Sequence, residues 1–219
     1  MLIANIKKLH ASSYLSLMSI TQGVALGFLA TTVSGGNACF TYVGWSLAII
    51  TFVCIVVVWH EYVIAVAALT WIPGLRDSFI PFLFAASEIG MAHVIGDDSA
   101  YWYLFMSMYC AIGFVAFHNM YTKSRDDIVY GINKRVLENT VNWETFSKYF
   151  ASICCCAFFL VGIVRVCFKN SCSFVVSEFA YLGFASILLI IYCYRTHKYW
   201  DVILNIAKEE YREPAQSTG

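Results

Sequence analysis

The sequence predicts an all-α, polytopic membrane helix bundle of about six transmembrane helices with both termini in the cytoplasm. Three observations carry this expectation. Hydrophobic residues make up 60% of the 219 positions and charged residues 13%, about half the charged share of an average soluble domain. The apolar residues fall in runs of about twenty, the length that crosses ~30 Å of hydrocarbon at ~1.5 Å per residue. Positive charge is divided unevenly between alternate connections, as membrane insertion requires. A soluble domain of this size could not bury so much apolar surface, so the lipid bilayer is the partner that the composition demands.

The first span is expected from about Tyr14 to Val33, behind Lys7 and Lys8. A cleaved signal peptide starts in the same way, but this apolar run is longer than the usual h-region. Ser12, Ser16, Ser19, Gly23 and Gly27 share one helical face, and small residues let backbones approach closely in lipid. Packing against a neighbouring helix of the same chain is the expectation for that face, with a dimer contact as the alternative.

After Gly35, Gly36 and Asn37, apolar sequence continues from Phe40 to Pro73, which as a helix would be roughly 50 Å long and too long for one ordinary span. The second span is therefore placed from Tyr42 to His60. The VIAVAALTWIPGL piece is read as an interfacial or re-entrant segment ended by Pro73 and Gly74. The third span follows Arg76 and Asp77, with Ser78 as N-cap and Pro81 in the first turn, and runs to Gly96. Asp97 and Asp98 mark a turn before an aromatic-rich fourth span, Tyr101 to Tyr121.

The longest polar stretch, residues 122–148, carries Ile128, Ile132 and Val136 at i, i+4 and i+8, the spacing of an amphipathic helix lying on the membrane face or docked beneath the bundle. The fifth span (Tyr149 to Phe168) and the sixth (Phe174 to Tyr194) are expected to form a tight hairpin. Residues 1–195 thus read as one transmembrane domain. Residues 196–219 read as an amphipathic cytoplasmic tail with Trp200, Ile203, Leu204, Ala207 and Tyr211 on one side.

Six spans with an inner N-terminus place Lys7, Lys8, Arg76, Lys123, Arg125, Lys134, Arg135, Lys148, Arg195, Lys198, Lys208 and Arg212 inside. Only Arg165 and Lys169 fall outside. That asymmetry fits the positive-inside rule in a plasma or bacterial inner membrane. Net charge is zero, so nothing points to nucleic acid.

Among groups that could carry chemistry, Glu88 stands out. A carboxylate in the middle of a span costs at least roughly 2 to 3 kcal/mol unless paired, hydrated or protonated, so it reads either as an ion-binding group on a pathway or as a hydrogen-bonded strut. His93 lies about 140° further round the same helix and does not share its face. His60 and Glu61 belong to the inner interface, and Ile64 stands where an HExxH zinc site would need its second histidine. His118 ends the fourth span on the same side and could approach His60. Arg165 and Glu178 are expected to pair structurally near the outer ends of spans five and six.

Cys39 and Cys172 approach the outer side, where a disulfide is conceivable, whereas Cys154, Cys155 and Cys156 spread around a helix and form no metal cluster. The sequence has no GxSxG and no glycine-rich phosphate loop, and Asp126 and Asp127 have no companion acidic motif. No metal or cofactor is expected. The sequence thus points to an ion channel, pore subunit or small transporter with a polar pathway around Glu88, assembled as a homo-oligomer. The alternative is a membrane-anchored signalling or defence component acting through a cytoplasmic protein partner. A membrane-embedded enzyme using His60, Glu61 and His118 is the third and weakest possibility.

Overall fold

The computed structural model describes residues 2–35, 41–71, 74–95, 99–167 and 174–216, which are helical with no strand among them. The helices are α1 (Leu2–Ser34), α2 (Tyr42–Ala68), α3 (Leu75–His93), α4 (Ser99–Ser124), α5 (Asp127–Asn139), α6 (Val141–Cys167) and α7 (Phe174–Gln216). Among the described residues five segments are long and apolar enough to cross a membrane: Ser13–Ser34, Tyr42–Ala68, Ser99–Ser124, Val141–Cys167 and Glu178–Glu209. By the length and composition of these helices, the chain is a multi-pass membrane protein.

The remaining expected span, α3, has 19 residues, roughly 28 Å of helix, and is less apolar. Its position explains the composition. The Asp77 end lies against Tyr14 of α1 and against Asn119 and Lys123 of α4. At the other end, His93 lies beside Phe28 of α1, with ring centroids 6.3 Å apart. α3 therefore runs through the bundle from end to end, parallel to α1 and antiparallel to α4. Ile80, Phe84, Ser87, Glu88 and Met91 are all buried by those neighbours, so the helix carries polar groups that a lipid-surrounded one could not.

α3 begins earlier than the sequence suggests. Gly74, not Ser78, is its N-cap residue, and its N–H donates to Asp77 Oδ2 at 2.5 Å. Pro81 consequently sits in the second turn. A proline there removes the helical donor to the carbonyl four residues back, that of Asp77, and the Tyr14 hydroxyl donates to that carbonyl instead, at 2.7 Å.

α2 does not leave the helix at His60. It continues for 27 residues to Ala68, because Val63 to Ala68 contains no glycine, proline or polar break. The re-entrant reading is thus corrected: non-helical backbone begins at Leu69. Leu69, Thr70 and Trp71 are buried, and Asn133 of α5 straps them down. Its Oδ1 accepts from Thr70 N–H at 2.8 Å, while its Nδ2 donates to the carbonyls of Thr70 (2.6 Å) and Ser124 (2.9 Å). A buried non-helical strand of backbone needs such partners.

The amphipathic α5 forms, and its buried face includes Val129, Asn133 and Leu137; the side chains of Ile128 and Ile132 are outside the described set. α7 runs unbroken for 43 residues, with no glycine or proline between Gly183 and Pro214, so the sixth span and the tail helix are one element. The buried side of its extension carries Thr196, Tyr199, Ile203 and Ile206, while Leu204 and Ala207 are exposed. Arg135 of α5 pairs with Glu209 to hold this extension.

The turn expected between α6 and α7 lies outside the described residues, while Arg165 of α6 pairs with Glu178 of α7. The close neighbours of α6 and α7 are α4 and α2 respectively, and α3 sits against α4 and α1. Small residues decide this. A Cβ on Gly162 of α6 would come within 2.6 Å of Leu104 Cδ2, and Ser107 Oγ of α4 donates to the Cys155 carbonyl at 2.9 Å. Between α6 and α7 stand rings instead, with Trp143 stacked on Tyr199 at 5.0 Å and Phe150 on Tyr192 at 5.4 Å.

Candidate functional site

Between α2 and α7 on one side and α4 and α6 on the other, with α1 and α3 contributing Tyr14, Asp77, Ile80 and Phe84, is an elongated, half-enclosed slot of about 140 Å³. Its walls follow α2 from Ile50 to Ala65 and α4 from Met106 to Met120, roughly 21 Å along the helix axes. The two sides meet through side chains. Trp102 Nε1 on α4 donates to Thr51 Oγ1 on α2 at 2.9 Å, and the Tyr109 hydroxyl on α4 donates to the Cys54 carbonyl on α2 at 2.9 Å.

The slot is chemically lopsided. Toward the Ser99 end its walls are apolar, with Ile50, Met106, Phe158 and Ala185. Toward the Lys123 end they include Tyr14, Glu61, Tyr62, Trp71, Asp77 and Tyr192. Glu61 is 9% exposed. Its Oε1 accepts from Thr196 Oγ1 of α7 at 2.6 Å, and the Tyr192 hydroxyl faces it. Asp77 is held differently, by Lys123, by Asn119 and by the Gly74 N–H.

Just beyond this end, the Glu144 carboxylate takes both Arg125 and Lys148, the latter at 2.7 Å. The bond to Glu144 raises the Arg125 guanidinium above its already high ordinary pKa, so its charge is fixed at any physiological pH.

Glu88 is fully buried on the α1 side of α3 and is not part of the slot wall. The Gln22 carboxamide of α1, 3% exposed, faces it, but no hydrogen bond of normal geometry reaches either of the two groups. Each is the other's polar company in an apolar interface, an arrangement that packing alone does not require. His93 is exposed beside Phe28.

His60 lies against Trp200 of α7, with centroids 6.2 Å apart. His118 is exposed on the outer face of α4, stacked on Phe114 of its own helix. The set His60, Glu61 and His118 therefore does not converge, since Tyr109, Gly113 and Phe117, not His118, are what α4 turns toward the slot. Among the described residues no group of three or more His, Cys, Asp or Glu side chains is placed to hold a metal.

At the far end Arg165 Nη2 stands 3.0 Å from Glu178, which also accepts from Ser99 Oγ at 2.7 Å; the guanidinium lies 5.7 Å from the Tyr103 ring centroid. Cys39 and Cys172 are outside the described residues. Cys154 is buried, Cys155 half-buried and Cys156 exposed.

The small-residue face of α1 departs from expectation. Ser19 accepts a 3.4 Å hydrogen bond from Trp59 Nε1, yet a Cβ placed on Gly23 or Gly27 would meet nothing within 4 Å. The two glycines face outward and, among the described residues, pack against no neighbouring helix, because α1 turns Met18, Gln22, Ala25 and Leu29 to its neighbours instead.

Thr196, Tyr192 and Gln22 are the functional candidates that sequence reading passed over. Gln22 carried a usable signal, an amide inside an apolar run. Thr196 did not, because a threonine satisfies itself on its own helix as readily as it reaches a neighbour.

Fold and site together define a multi-pass membrane protein with an internal slot open to polar contact at one end. No protein-family model, curated protein or solved structure matches the chain.

Proposed function

We propose that this protein is a small membrane transporter whose substrate path is the slot. The observation that carries the reading is the seam. Two helix pairs, α2 with α7 and α4 with α6, flank the opening. The pairs meet through side chains, Trp102 and Tyr109 between α4 and α2 and stacked rings with the Arg165–Glu178 pair between α6 and α7, so backbones pack more closely within each pair than between them. Ligand sites in helical membrane proteins are built in such interfaces.

Within the sequence-based expectation of a channel, pore or transporter, the apolar walls favour a carrier. A conducting ion needs polar groups in place of its hydration shell along the whole path, and the slot offers them at one end. The uneven positive charge orients that end to the cytoplasm. Self-association, where it occurs, has an open small-residue face available at Gly23 and Gly27. The partner-binding alternative has less support, because the face of α5 that would dock a partner, with Val129, Asn133 and Leu137, is already buried within the chain, where Asn133 binds Thr70.

Uptake into proteoliposomes tests the proposal. Gly113 lines the slot, with only Phe84 Cζ, at 3.9 Å, near the position of an added Cβ; Gly113→Phe should fill the opening and abolish uptake while the protein keeps its helicity and monodispersity. Undiminished uptake in that variant would overturn the slot as the path.

A further inference from the structure

We propose that the slot binds an amphipathic organic cation, with its charged head at Glu61 and a single apolar chain lying toward Ile50 and Met106. The inference rests on the slot being the substrate path. Its basis is a count of charge partners. Among the described buried and half-buried carboxylates, Asp77 is matched by Lys123, Glu144 by Arg125 and Lys148, and Glu178 by Arg165. Glu61 has only hydroxyls, those of Thr196 and Tyr192. Hydroxyls hydrogen-bond a carboxylate without neutralising it, and a carboxylate left without a cation in such surroundings is costly. Glu88 also lacks a cation, but it does not line the slot. Glu61 is therefore the place where an incoming positive charge would find a partner the protein does not supply.

The surrounding walls suit the rest of such a molecule. Tyr62, Trp71, Phe84, Tyr109, Phe150 and Tyr192 all line the slot, and aromatic faces attract a desolvated ammonium while tolerating its alkyl groups. Beyond them the walls turn aliphatic, matching a chain. The slot runs along roughly 21 Å of helix, a length that suits one extended chain. An anion would meet Glu61 at the polar end, and a neutral alcohol would offer Glu61 a hydrogen bond but no charge.

Octyltrimethylammonium is the probe, titrated into the full-length protein in zwitterionic-lipid nanodiscs. Binding is read by the fluorescence of tryptophan, of which Trp71 lines the slot, and corrected with protein-free nanodiscs. Saturable binding is expected, weakened at least about tenfold in Glu61→Gln, as loss of one charged partner in a buried site implies. It should be unchanged in Glu88→Gln, and octanol should lose far less affinity than the cation does on Glu61→Gln. Thr196→Val, which keeps the carboxylate and removes one hydroxyl, should retain binding and so separates loss of charge from loss of fold.

Equal affinity of wild type and Glu61→Gln for the cation, or preference of wild type for octanol or octyl sulfate, would overturn the inference. The underlying transport reading fails separately. Uptake of a neutral solute that Gly113→Phe blocks would keep the slot as the path and remove the cation. Glu61-dependent cation binding without any uptake would keep the site and remove transport.

Discussion

The Tyr14 hydroxyl on α1 caps the carbonyl of Asp77 on α3, the acceptor that Pro81 leaves without a helical donor. One contact thereby joins a defect in one helix to the surface of another. Tyr14→Phe should cost about 1 kcal/mol, the usual net worth of one buried hydrogen bond. In a Pro81→Ala background, where residue 81 regains its N–H, the same change should cost clearly less. Unfolding of all four proteins in mild detergent gives the coupling directly; equal losses in both backgrounds would mean that tyrosine serves some other group.

The Asn133 strap makes a steeper prediction. Its amide satisfies Thr70 N–H and the carbonyls of Thr70 and Ser124. Asn133→Leu keeps the volume and orphans three backbone groups, so a loss of at least about 2 kcal/mol is expected. Hydrogen exchange should accelerate at Thr70 first, and a melting temperature equal to wild type would show that the connector stands without α5.

Glycines on opposite sides of the bundle should behave in opposite ways. Gly162→Val drives side-chain atoms into Leu104 and should lower stability by about 1 to 3 kcal/mol through overpacking. Gly23→Leu meets empty space and should leave monomer stability within about 0.5 kcal/mol of wild type. If α1 mediates self-association in the bilayer, Gly23→Leu should also reduce cross-linking between copies, which is the readout that distinguishes a dimer face from an idle one.

Glu88→Gln removes a potential charge while keeping size and hydrogen-bonding capacity beside Gln22. Stability within about 1 kcal/mol of wild type is expected, together with unchanged uptake, because Glu88 does not border the slot. A collapse of uptake in a well-folded variant would return Glu88 to the pathway that its sequence position first suggested.

Helix class and the approximate positions of most helices were legible in the sequence because apolar run length is a one-dimensional property. Boundaries were less so. Ser78 looked like a cap because serine caps are common, yet Asp77 reached back to Gly74 and fixed the start of α3 four residues earlier. Helix partners were invisible to run length: α6 chose α4 because Gly162 and Leu104 fit, a match between residues far apart in the chain. The slot was hidden for the same reason. Glu61 was noticed as an interfacial carboxylate, but its place in a cavity depends on Thr196, 135 residues away.

The unbroken α7 has a mechanical consequence. A helix without glycine or proline along its middle has no joint, so its cytoplasm-side end and its slot-side end turn as one lever. Tyr192 and Glu209 are separated by roughly 25 Å along it. The Arg135–Glu209 contact near one end and the Thr196–Glu61 contact at the slot are thus carried on one continuous rod.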